Sequence, residues 1–544
     1  MRRLAIALIA VVALWWMLPP AARELAAPPS DPPSGLRGVI HIHTNRSDGT
    51  GSVDDVLRAA AAAGLKFAIV TDHGDGTRAP DLPDYRNGVL YIDGVEISTS
   101  DGHLIALGLP KAAYPLAGEG RDVVEDVHRL GALAIAAHPG SEKPDLRWTD
   151  WNAPIDGLEW LNADSEWRDE RPLTLARALV TYPFRPPQAL ALLLDRPEPV
   201  IRQWDALAQQ RRVVGLAAVD AHARVGVRSL GEPYDSTGSL HFPSYASSFR
   251  EFSITLPAVR PTGDAAADAR SVLDAIHQGA FYSTVDALAA PAVLRMREEG
   301  SRITVDTDAP DDARITLFRN GVAVANAQGA RLQHDADAAV YRVEVTLPDS
   351  PGNPPVPWIM SNPIYVGREP EAAAPQVTQL PKARTFTTLY SGGPDRGWTI
   401  EKSAASDAAI DVIGALPGSQ MLLRYALSGT AADSPYAAFA IPAGTAIATA
   451  HRLVFTARAD RPMRVSVQLR APGGEGERWR RSVYLDRTPR TIELPFADFR
   501  PVGTASAAQP VLSKVESVLL VIDTVNTKIG SNGQITIDDI EYGR

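Results

Sequence analysis

The chain of 544 residues contains no cysteine. This absence excludes disulfide bonds, thiolate metal sites, a cysteine nucleophile and a lipidated cysteine, so any metal must be held by histidine and carboxylate side chains. Positive charge is also scarce, because 54 Lys and Arg stand against 64 Asp and Glu for a net charge of -10. That balance does not indicate general affinity for nucleic acid. The length predicts several domains with ample core.

The N-terminal segment has the composition of a targeting sequence. The pair Arg2-Arg3 precedes an apolar run over residues 4–18, which is shorter than the ~20 residues that a membrane-spanning helix needs. We therefore expect residues 1–22 to be a signal peptide or a signal anchor. The protein would then be exported, and be either periplasmic or membrane-anchored outside the cytoplasm. The Pro- and Ala-rich residues 23–35 predict a linker.

The strongest local signal is the stretch HIHTNRSDG at positions 41–49. It follows a short apolar run that predicts a buried strand. Two histidines at i and i+2 of a strand, His41 and His43, project to the same side and can grip one metal ion. Asp48, five residues after His43 and beside a turn glycine, offers a third ligand.

More side chains of the metal-ligand type recur along the later apolar runs. They are His73 after residues 67–70, Glu96 after 89–92, His138 after 132–137, Asp220 and His222 after 213–219, and His103 at the start of its own run. Helical patterns over 52–66 and 121–130 alternate with these runs, and this alternation predicts a parallel α/β sheet or barrel. In such barrels the functional side chains gather at the C-terminal ends of the strands.

Taken in order, His-x-His-Thr-x-x-Ser-Asp-Gly, Thr-Asp-His, Glu, His-Pro and Asp-x-His resemble the motifs of the PHP family, named for polymerase and histidinol phosphatase domains. The resemblance covers residues 36–290. It implies a distorted (βα)7 barrel that binds two or three divalent metal ions. Members of that family are mostly phosphoesterases, and some hydrolyse other ester-like bonds. The resemblance thus implies a metal-dependent phosphoesterase in which metal-bound hydroxide attacks the ester.

Carried over by position, the resemblance also implies a ligand role for nine side chains. It assigns His41, His43 and Asp220 to a first metal, His103 and His138 to a second, Asp48, His73 and His222 to a third, and Glu96 to a bridge between the first two. Glu96 suits a bridge because one carboxylate can present an oxygen to each of two ions. Histidine and carboxylate ligands suit Zn, Mn or Fe more than Mg, and the sequence does not choose among them.

The reaction also needs a proton for the leaving group and a cation for the substrate oxyanions. Asp72 and Asp75 lie in and just after the Thr-Asp-His motif, and each can either donate that proton or support a histidine ligand. Arg46 and Arg224 can fork onto phosphate, or they can be ordinary exposed arginines. We therefore take Asp72, Arg46 and Arg224 as candidate catalytic residues, together with the metal ligands Glu96 and Asp220.

The remaining chain predicts additions around and after the barrel. Residues 140–212 are a long insertion with five tryptophans, which either walls a substrate pocket or is a packed helical subdomain. Alternating patterns predict a small β-sandwich over 291–367, followed by a linker over 368–382. Residues 383–544 resemble galactose-binding-like jelly rolls. Such modules often bind carbohydrate, but the likeness is fold analogy, and a structural or docking sandwich is an equal alternative.

Two other functions remain open. The same metal site can hydrolyse a carbamate or carboxylic ester, and an apolar pocket rather than a basic phosphate clamp would favour that reaction. The other is a non-catalytic envelope protein that binds glycan, although a structural barrel has no need of a nearly complete ligand set. We expect a small phosphoester or other ester as substrate, carbohydrate as the candidate partner of the C-terminal module, no nucleic acid, and membrane contact only through the N-terminus.

Overall fold

The computed structural model describes residues 3, 12, 14–25, 35–168, 170–226, 239–240, 242–289, 292–371, 373, 380–391, 397–414, 419–472, 476–503 and 505–544. Half of the predicted signal segment and much of both predicted linkers lie outside these residues. Within them, no helix has the length and apolarity needed to cross a membrane. The chain divides into two units, Met1–Pro110 with Glu119–Ala374, and Lys111–Gly118 with Pro375–Arg544.

The structure is largely β-sheet, and the α-helices of the described residues all belong to the first unit. They are α1 (Val53–Ala62), α2 (Gly120–Arg129), α3 (Ala163–Glu166), α4 (Pro172–Thr181), α5 (Pro186–Ala191), α6 (Glu198–Ala208), α7 (Tyr245–Ser248) and α8 (Ala265–Gln278). Helix α1 begins at the start of the predicted helical pattern, where the Ser52 side chain and Asp55 form a capping box. Helix α8 ends at Gly279, whose φ of 69° suits a residue without a Cβ.

The strands of the first unit come in chain order. They are β1 (Leu36–Ile40), β2 (Phe67–Val70), β3 (Asp84–Arg86), β4 (Val89–Asp93), β5 (Val95–Thr99), β6 (Gly102–Leu107), β7 (Leu133–Ala136), β8 (Gly157–Asn162), β9 (Val214–Ala218), β10 (Val225–Gly226), β11 (Ser239–Leu240), β12 (Ser253–Leu256), β13 (Tyr282–Thr284), β14 (Leu294–Glu299), β15 (Arg302–Thr307), β16 (Arg314–Arg319), β17 (Val322–Gln328), β18 (Arg331–Asp335), β19 (Ala339–Thr346), β20 (Ile359–Ser361) and β21 (Ile364–Val366). The apolar runs that the sequence identified are therefore strands, with ends within two residues of the predicted ones.

Hydrogen bonding divides the strands that carry the predicted ligands between two sheets. One has eleven strands in the order β17-β16-β19-β20-β13-β12-β1-β2-β4-β3, with β21 beside β19, and the other has the order β5-β6-β7-β8-β9. Two isolated bridges join the sheets, Ile42 with Ala221 beyond the ends of β1 and β9, and His73 with Glu96 between the end of β2 and the start of β5. Among the described residues the strands do not form one barrel sheet of seven βα units. Alternation alone did not reveal that β5, β6 and β12 pair antiparallel with their neighbours.

Strand β8 lies inside residues 140–212, which the sequence predicted to be an insertion. It pairs in parallel with both β7 and β9, so residues 157–162 form an interior strand of the five-stranded sheet. The added material is instead the group of helices α3 to α6, which lies between β8 and β9. Three of the five tryptophans, Trp148, Trp160 and Trp204, are fully buried and therefore pack in the interior.

The sheet also continues across residue 290, where a boundary was predicted. Strand β13 pairs with β20, which brings Tyr282 opposite Ser361. Tyr282 and Trp358 share one buried cluster with residues from β15, β16 and β19. Residues 292–366 therefore share both a sheet and a hydrophobic core with the strands before them.

The second unit is a β-sandwich. Its strands are β22 (Phe386–Tyr390), β23 (Thr399–Lys402), β24 (Asp407–Ile413), β25 (Gln420–Ala426), β26 (Tyr436–Pro442), β27 (Arg452–Ala459), β28 (Met463–Arg470), β29 (Arg478–Leu485), β30 (Arg490–Pro495), β31 (Arg500–Val502), β32 (Ser517–Asp523) and β33 (Asn532–Gly543). One sheet has the order β24-β25-β33-β27-β30 with β22 beside β33, and the other is β23-β26-β32-β28-β29-β31. Both sheets contribute to one buried cluster that includes Phe439, Trp479 and Tyr542.

This unit also contains residues 111–118, which come from far earlier in the chain. The Asn526 side-chain amide donates hydrogen bonds of 3.0 Å to the carbonyl oxygens of Pro115 and Ala117. The rings of Tyr114 and Tyr484 lie 6.4 Å apart. These contacts explain why the short segment groups with the sandwich.

Candidate metal centre

The loop that follows β1 is held in place by buried hydrogen bonds. Asp72, at the end of β2, accepts hydrogen bonds from the Thr44 backbone N–H at 2.7 Å and from the Thr44 and Ser47 hydroxyls at 2.6 Å each. The Tyr245 hydroxyl donates to the His43 carbonyl oxygen at 2.7 Å. These contacts fix the path of the chain between the first histidine pair and Asp48.

Glu96, on β5, lies at the centre of a buried group of histidines. Its Oε1 atom is 2.8 Å from Nδ1 of His103 and 2.9 Å from Nε2 of His138. Its Oε2 atom is 3.2 Å from Nε2 of both His41 and His43. One carboxylate thus faces different histidines with each of its two oxygens, which is the geometry that a bridging ligand needs.

Asp220 and Asp48 also bring carboxylate oxygens close to these histidines. Asp220 Oδ1 lies 3.3 Å from Nε2 of both His41 and His43. Asp48 Oδ2 lies 3.2 Å from Nε2 of His222. The carboxylates therefore come from β5 and from the loops after β1 and β9, and they converge although they are far apart in sequence.

The ligand atoms fall into four overlapping groups, each compact enough to surround one ion. The groups are His43-Asp48-His73-His222, His41-His43-Glu96, His41-His138-Asp220 and His73-Glu96-His103. All nine side chains predicted as ligands belong to at least one group. The group around Asp48 has four members, although the resemblance assigned only three of them to one metal.

Several ring nitrogens in the group lack a hydrogen-bond partner. Within the described residues, Nε2 of His41 and both ring nitrogens of His43 are buried without one. Burying such a nitrogen costs free energy unless something else binds it. The donor set of imidazoles and carboxylates therefore fits divalent cations of the Zn, Mn or Fe type.

The charges of these nine side chains also favour a bound cation. Burial alone would raise the pKa of Glu96, but His73 and His41 hold it well below its ordinary value. Burial would lower the pKa of His43, but Asp220 and Glu96 raise it to about 10. The carboxylates thus attract positive charge, and a metal ion that enters must displace protons from the histidines.

Three of the converging residues have a backbone that is rare for residues with a side chain. The φ angles are 67° at His41, 29° at His138 and 42° at Asp220. Such conformations are costly, and they cluster at functional sites where the surrounding structure enforces them. Here each of them turns a ligand side chain into the group just after its strand ends.

Glu159, on β8, is part of this site but was not predicted from the sequence. Its Oε1 atom lies 2.6 Å from Nδ1 of His41, and its Oε2 atom accepts hydrogen bonds from the His138 backbone N–H at 2.6 Å and from the Asn162 amide at 2.7 Å. The same amide donates to Asp220 at 3.2 Å. An acidic residue inside the apolar run GLEWLN was the available signal, and it was missed because that run was assigned to an insertion.

The predicted cations are paired with carboxylates. Arg46 donates to Asp81 at 2.5 Å and to the Tyr91 hydroxyl at 3.1 Å. Arg224 donates to Asp48 at 3.1 Å. Arg224 therefore lies beside the group, whereas Arg46 forms an ion pair at its edge.

Two cavities open beside the ligands. One of about 420 Å³, with polar and apolar surface in similar amounts, is lined by His73 and Arg46, among other residues. The other, of about 250 Å³ and mostly apolar, is lined by Asp220, His222 and residues of helix α4. The group therefore has space for a substrate on two sides.

Comparisons with known proteins give one curated match. No family model matches this chain. Over 124 residues, 20% of the chain, it is 32% identical to a 3',5'-nucleoside bisphosphate phosphatase of Chromobacterium violaceum. The match spans 43% of that protein, so the chain covers less than half of this relative's length.

Solved structures with some likeness to this chain include carbohydrate-binding modules. A family 11 module of Clostridium thermocellum covers 29% of this chain and 94% of its own, with 15% identity and a TM-score of 0.25. A family 30 module of the same organism also covers 29%, and 96% of its own chain, with 9% identity and a TM-score of 0.22. TM-scores this low do not establish a shared fold.

Proposed function

We propose that this chain is a metal-dependent hydrolase that cleaves phosphoesters, with a PHP-type distorted barrel built from its two ligand-bearing sheets. The observation that carries the proposal is the convergence of nine histidine and carboxylate side chains around nitrogens of His41 and His43 that are buried without a hydrogen bond. The motifs that resemble the PHP family supply most of these side chains. The partial similarity to a phosphatase favours phosphoesters among the possible substrates.

Divalent ions held by this group would neutralise the charge of a phosphoester and activate water near neutral pH. The protein side chains prepare the site for that chemistry. Glu159 binds Nδ1 of His41, so the opposite nitrogen, Nε2, is the one presented to the interior. Asn162 holds Glu159 and Asp220 in one arrangement through its amide.

The other candidate residues receive different roles. Asp72 accepts three hydrogen bonds from the loop after β1, so we assign it to positioning that loop rather than to donating a proton. Arg224 is paired with Asp48 beside the ligands, where its guanidinium can also reach a substrate oxyanion. We assign Arg46 to an ion pair with Asp81 rather than to phosphate binding.

The second candidate reaction is hydrolysis of a carboxylic or carbamate ester. Two observations favour it, namely the pairing of Arg46 with Asp81 and the mostly apolar cavity beside Asp220. The activated water would serve both reactions, so the ligands alone do not separate them. Substrate preference has to be measured.

The test is a hydrolysis screen of the purified full chain, loaded in turn with Mn²⁺, Zn²⁺ and Fe²⁺, on phosphomonoesters, phosphodiesters and carboxylic esters. We expect phosphoester hydrolysis that the variant His41→Ala/His43→Ala loses together with bound metal. His277→Ala is the matched control, because this histidine is 57% exposed on α8 and should leave both unchanged. Metal-loaded protein that cleaves only carboxylic esters would overturn the phosphoesterase proposal, and one that cleaves no ester would overturn both.

A further inference from the structure

The apolar cavity beside the metal ligands has two chemically different walls. Leu175, Ala178 and Leu179 of helix α4 and Leu190 of α5 contribute hydrocarbon to its lining. Asp220, His222 and Arg224 are part of the same lining. An apolar group placed in the cavity would therefore contact hydrocarbon and also lie beside two of the ligand side chains.

The size of the cavity limits what it can hold. An apolar cavity of about 150 Å³ accepts benzene, and this one has about 250 Å³. It is therefore large enough for a bicyclic aromatic group or a branched hydrocarbon of similar size. Trp167 and Phe242 also line it, and aromatic side chains favour contact with aromatic ligands.

We propose that this cavity binds the apolar organic group of the ester substrate, an aryl group or a branched hydrocarbon, while the ester bond lies against Asp220 and His222. The inference rests on the proposed function and narrows it to a substrate class. Its basis is the continuity of the cavity with two ligand side chains and the apolar surface that α4 and α5 contribute.

The reaction favours an aryl ester in particular. Water oxygen bonds to phosphorus, the ester P–O bond breaks, and the aryl oxygen leaves as the phenol after taking up a proton from that water. A phenol has a pKa near 10, so its oxygen needs less help from a protein acid than an aliphatic alkoxide does. This suits a site in which Asp72 accepts three hydrogen bonds from the loop after β1 and is assigned to positioning that loop rather than to donating a proton.

The side chain of Glu251 also supports the binding of an apolar group in this cavity. Glu251 lines the cavity and is 3% exposed, and burial raises the pKa of its carboxyl to about 8. The ionisable groups that share the cavity with it are Asp164, Tyr182, Asp220, His222 and Arg224. A protonated carboxyl at neutral pH presents no charge to an apolar ligand and can donate one hydrogen bond to it.

The experiment measures binding with phosphonates, because their P–C bond is not hydrolysed. Titration calorimetry on the Mn²⁺-loaded full chain gives the Kd of 1-naphthylmethylphosphonate and of methylphosphonate. We expect the naphthyl compound to bind at least ~10-fold more tightly, as filling an apolar pocket does. Ala178→Phe should remove that advantage by filling the cavity and leave the Kd of methylphosphonate unchanged. Leu179→Asp, a charge at a position that is 62% exposed, is the second variant if Ala178→Phe does not fold.

Leu173→Ala is the control, because Leu173 lies on the same helix, is 85% exposed and does not line the cavity. Equal binding of the two phosphonates by the unmodified protein would overturn the inference, as would a cavity variant that weakens both alike. Failure of the proposed function has a different signature. In that case no phosphoester is cleaved, whatever its organic group, while the naphthyl preference in binding can still be measured.

Discussion

Replacing Glu251 by glutamine should make the folded protein more stable at alkaline pH. Glu251 is a buried carboxyl with a pKa of about 8, against an ordinary value of 4.5, and burial is the cause. Below about pH 4.5 the side chain is protonated in both the folded and the unfolded chain. As the pH rises towards 8, the unfolded chain releases the proton and the folded chain keeps it, so the free energy of unfolding falls.

The size of the effect follows from the two pKa values. They differ by about 3.5, which corresponds to ~5 kcal/mol at 1.36 kcal/mol for each tenfold change in proton affinity. Above pH 8 the buried Glu251 carboxyl of the folded protein is charged, and the free energy of unfolding stays lower by this full amount. A glutamine side chain at this position has the same shape, carries no charge and does not titrate, so the variant should avoid this loss.

Calorimetric unfolding of wild type and variant at a series of pH values between 4.5 and 9 measures the difference directly. We expect melting temperatures that nearly coincide at pH 4.5 and separate in favour of the variant by up to ~10 °C at pH 9, at about 2 °C per kcal/mol. Glu298→Gln, at an exposed position on β14, should show no such trend. A difference between Glu251→Gln and wild type that stays constant across this pH range would refute the reasoning.

Three further outcomes can be checked on the same protein. Glu96→Gln should lose or weaken one bound metal and lower turnover ~10²- to 10³-fold, as metal analysis and kinetics would show; full metal content with unchanged turnover would contradict a bridging role. Glu159→Gln should weaken metal binding ~10- to 100-fold while turnover at saturating metal changes less, and an unchanged metal Kd would count against its support of His41. A chain that ends at Ala374, with residues 111–118 replaced by a Gly-Ser linker, should fold and bind metal. A chain that ends at residue 290 loses β20, the partner of β13, and should not fold. If the chain that ends at 290 folds and binds metal, the first sheets do not depend on residues 292–366.

The ligand positions could be predicted because each depends on local sequence. A histidine just after an apolar run lies at a strand end wherever the strand itself is placed. His41, His73 and His138 therefore needed no knowledge of sheet order. Glu96 was equally accessible, since it follows an apolar run and a turn glycine.

The pairing of strands and side chains could not be predicted in the same way. Glu159 was missed because the use of β8 as an interior strand depends on partners more than 20 residues away on β7 and more than 50 residues away on β9. The pairing of Arg46 with Asp81 depends on a loop between β2 and β3 that carries no periodic pattern. The apolar cavity is likewise a product of helix packing, although the leucines that line it were visible in the sequence.

Residues 111–118 set a condition on how the molecule assembles during synthesis. These residues leave the ribosome 257 positions (375 minus 118) before the rest of the unit that receives them begins. At 5–20 residues per second, the delay is roughly 13–50 s. Leu116 is 1% exposed and Tyr114 is 6% exposed in the finished protein. The contacts of this segment with Tyr484 and Asn526 cannot form until those residues have been synthesised, so the segment reaches its native position only late in synthesis.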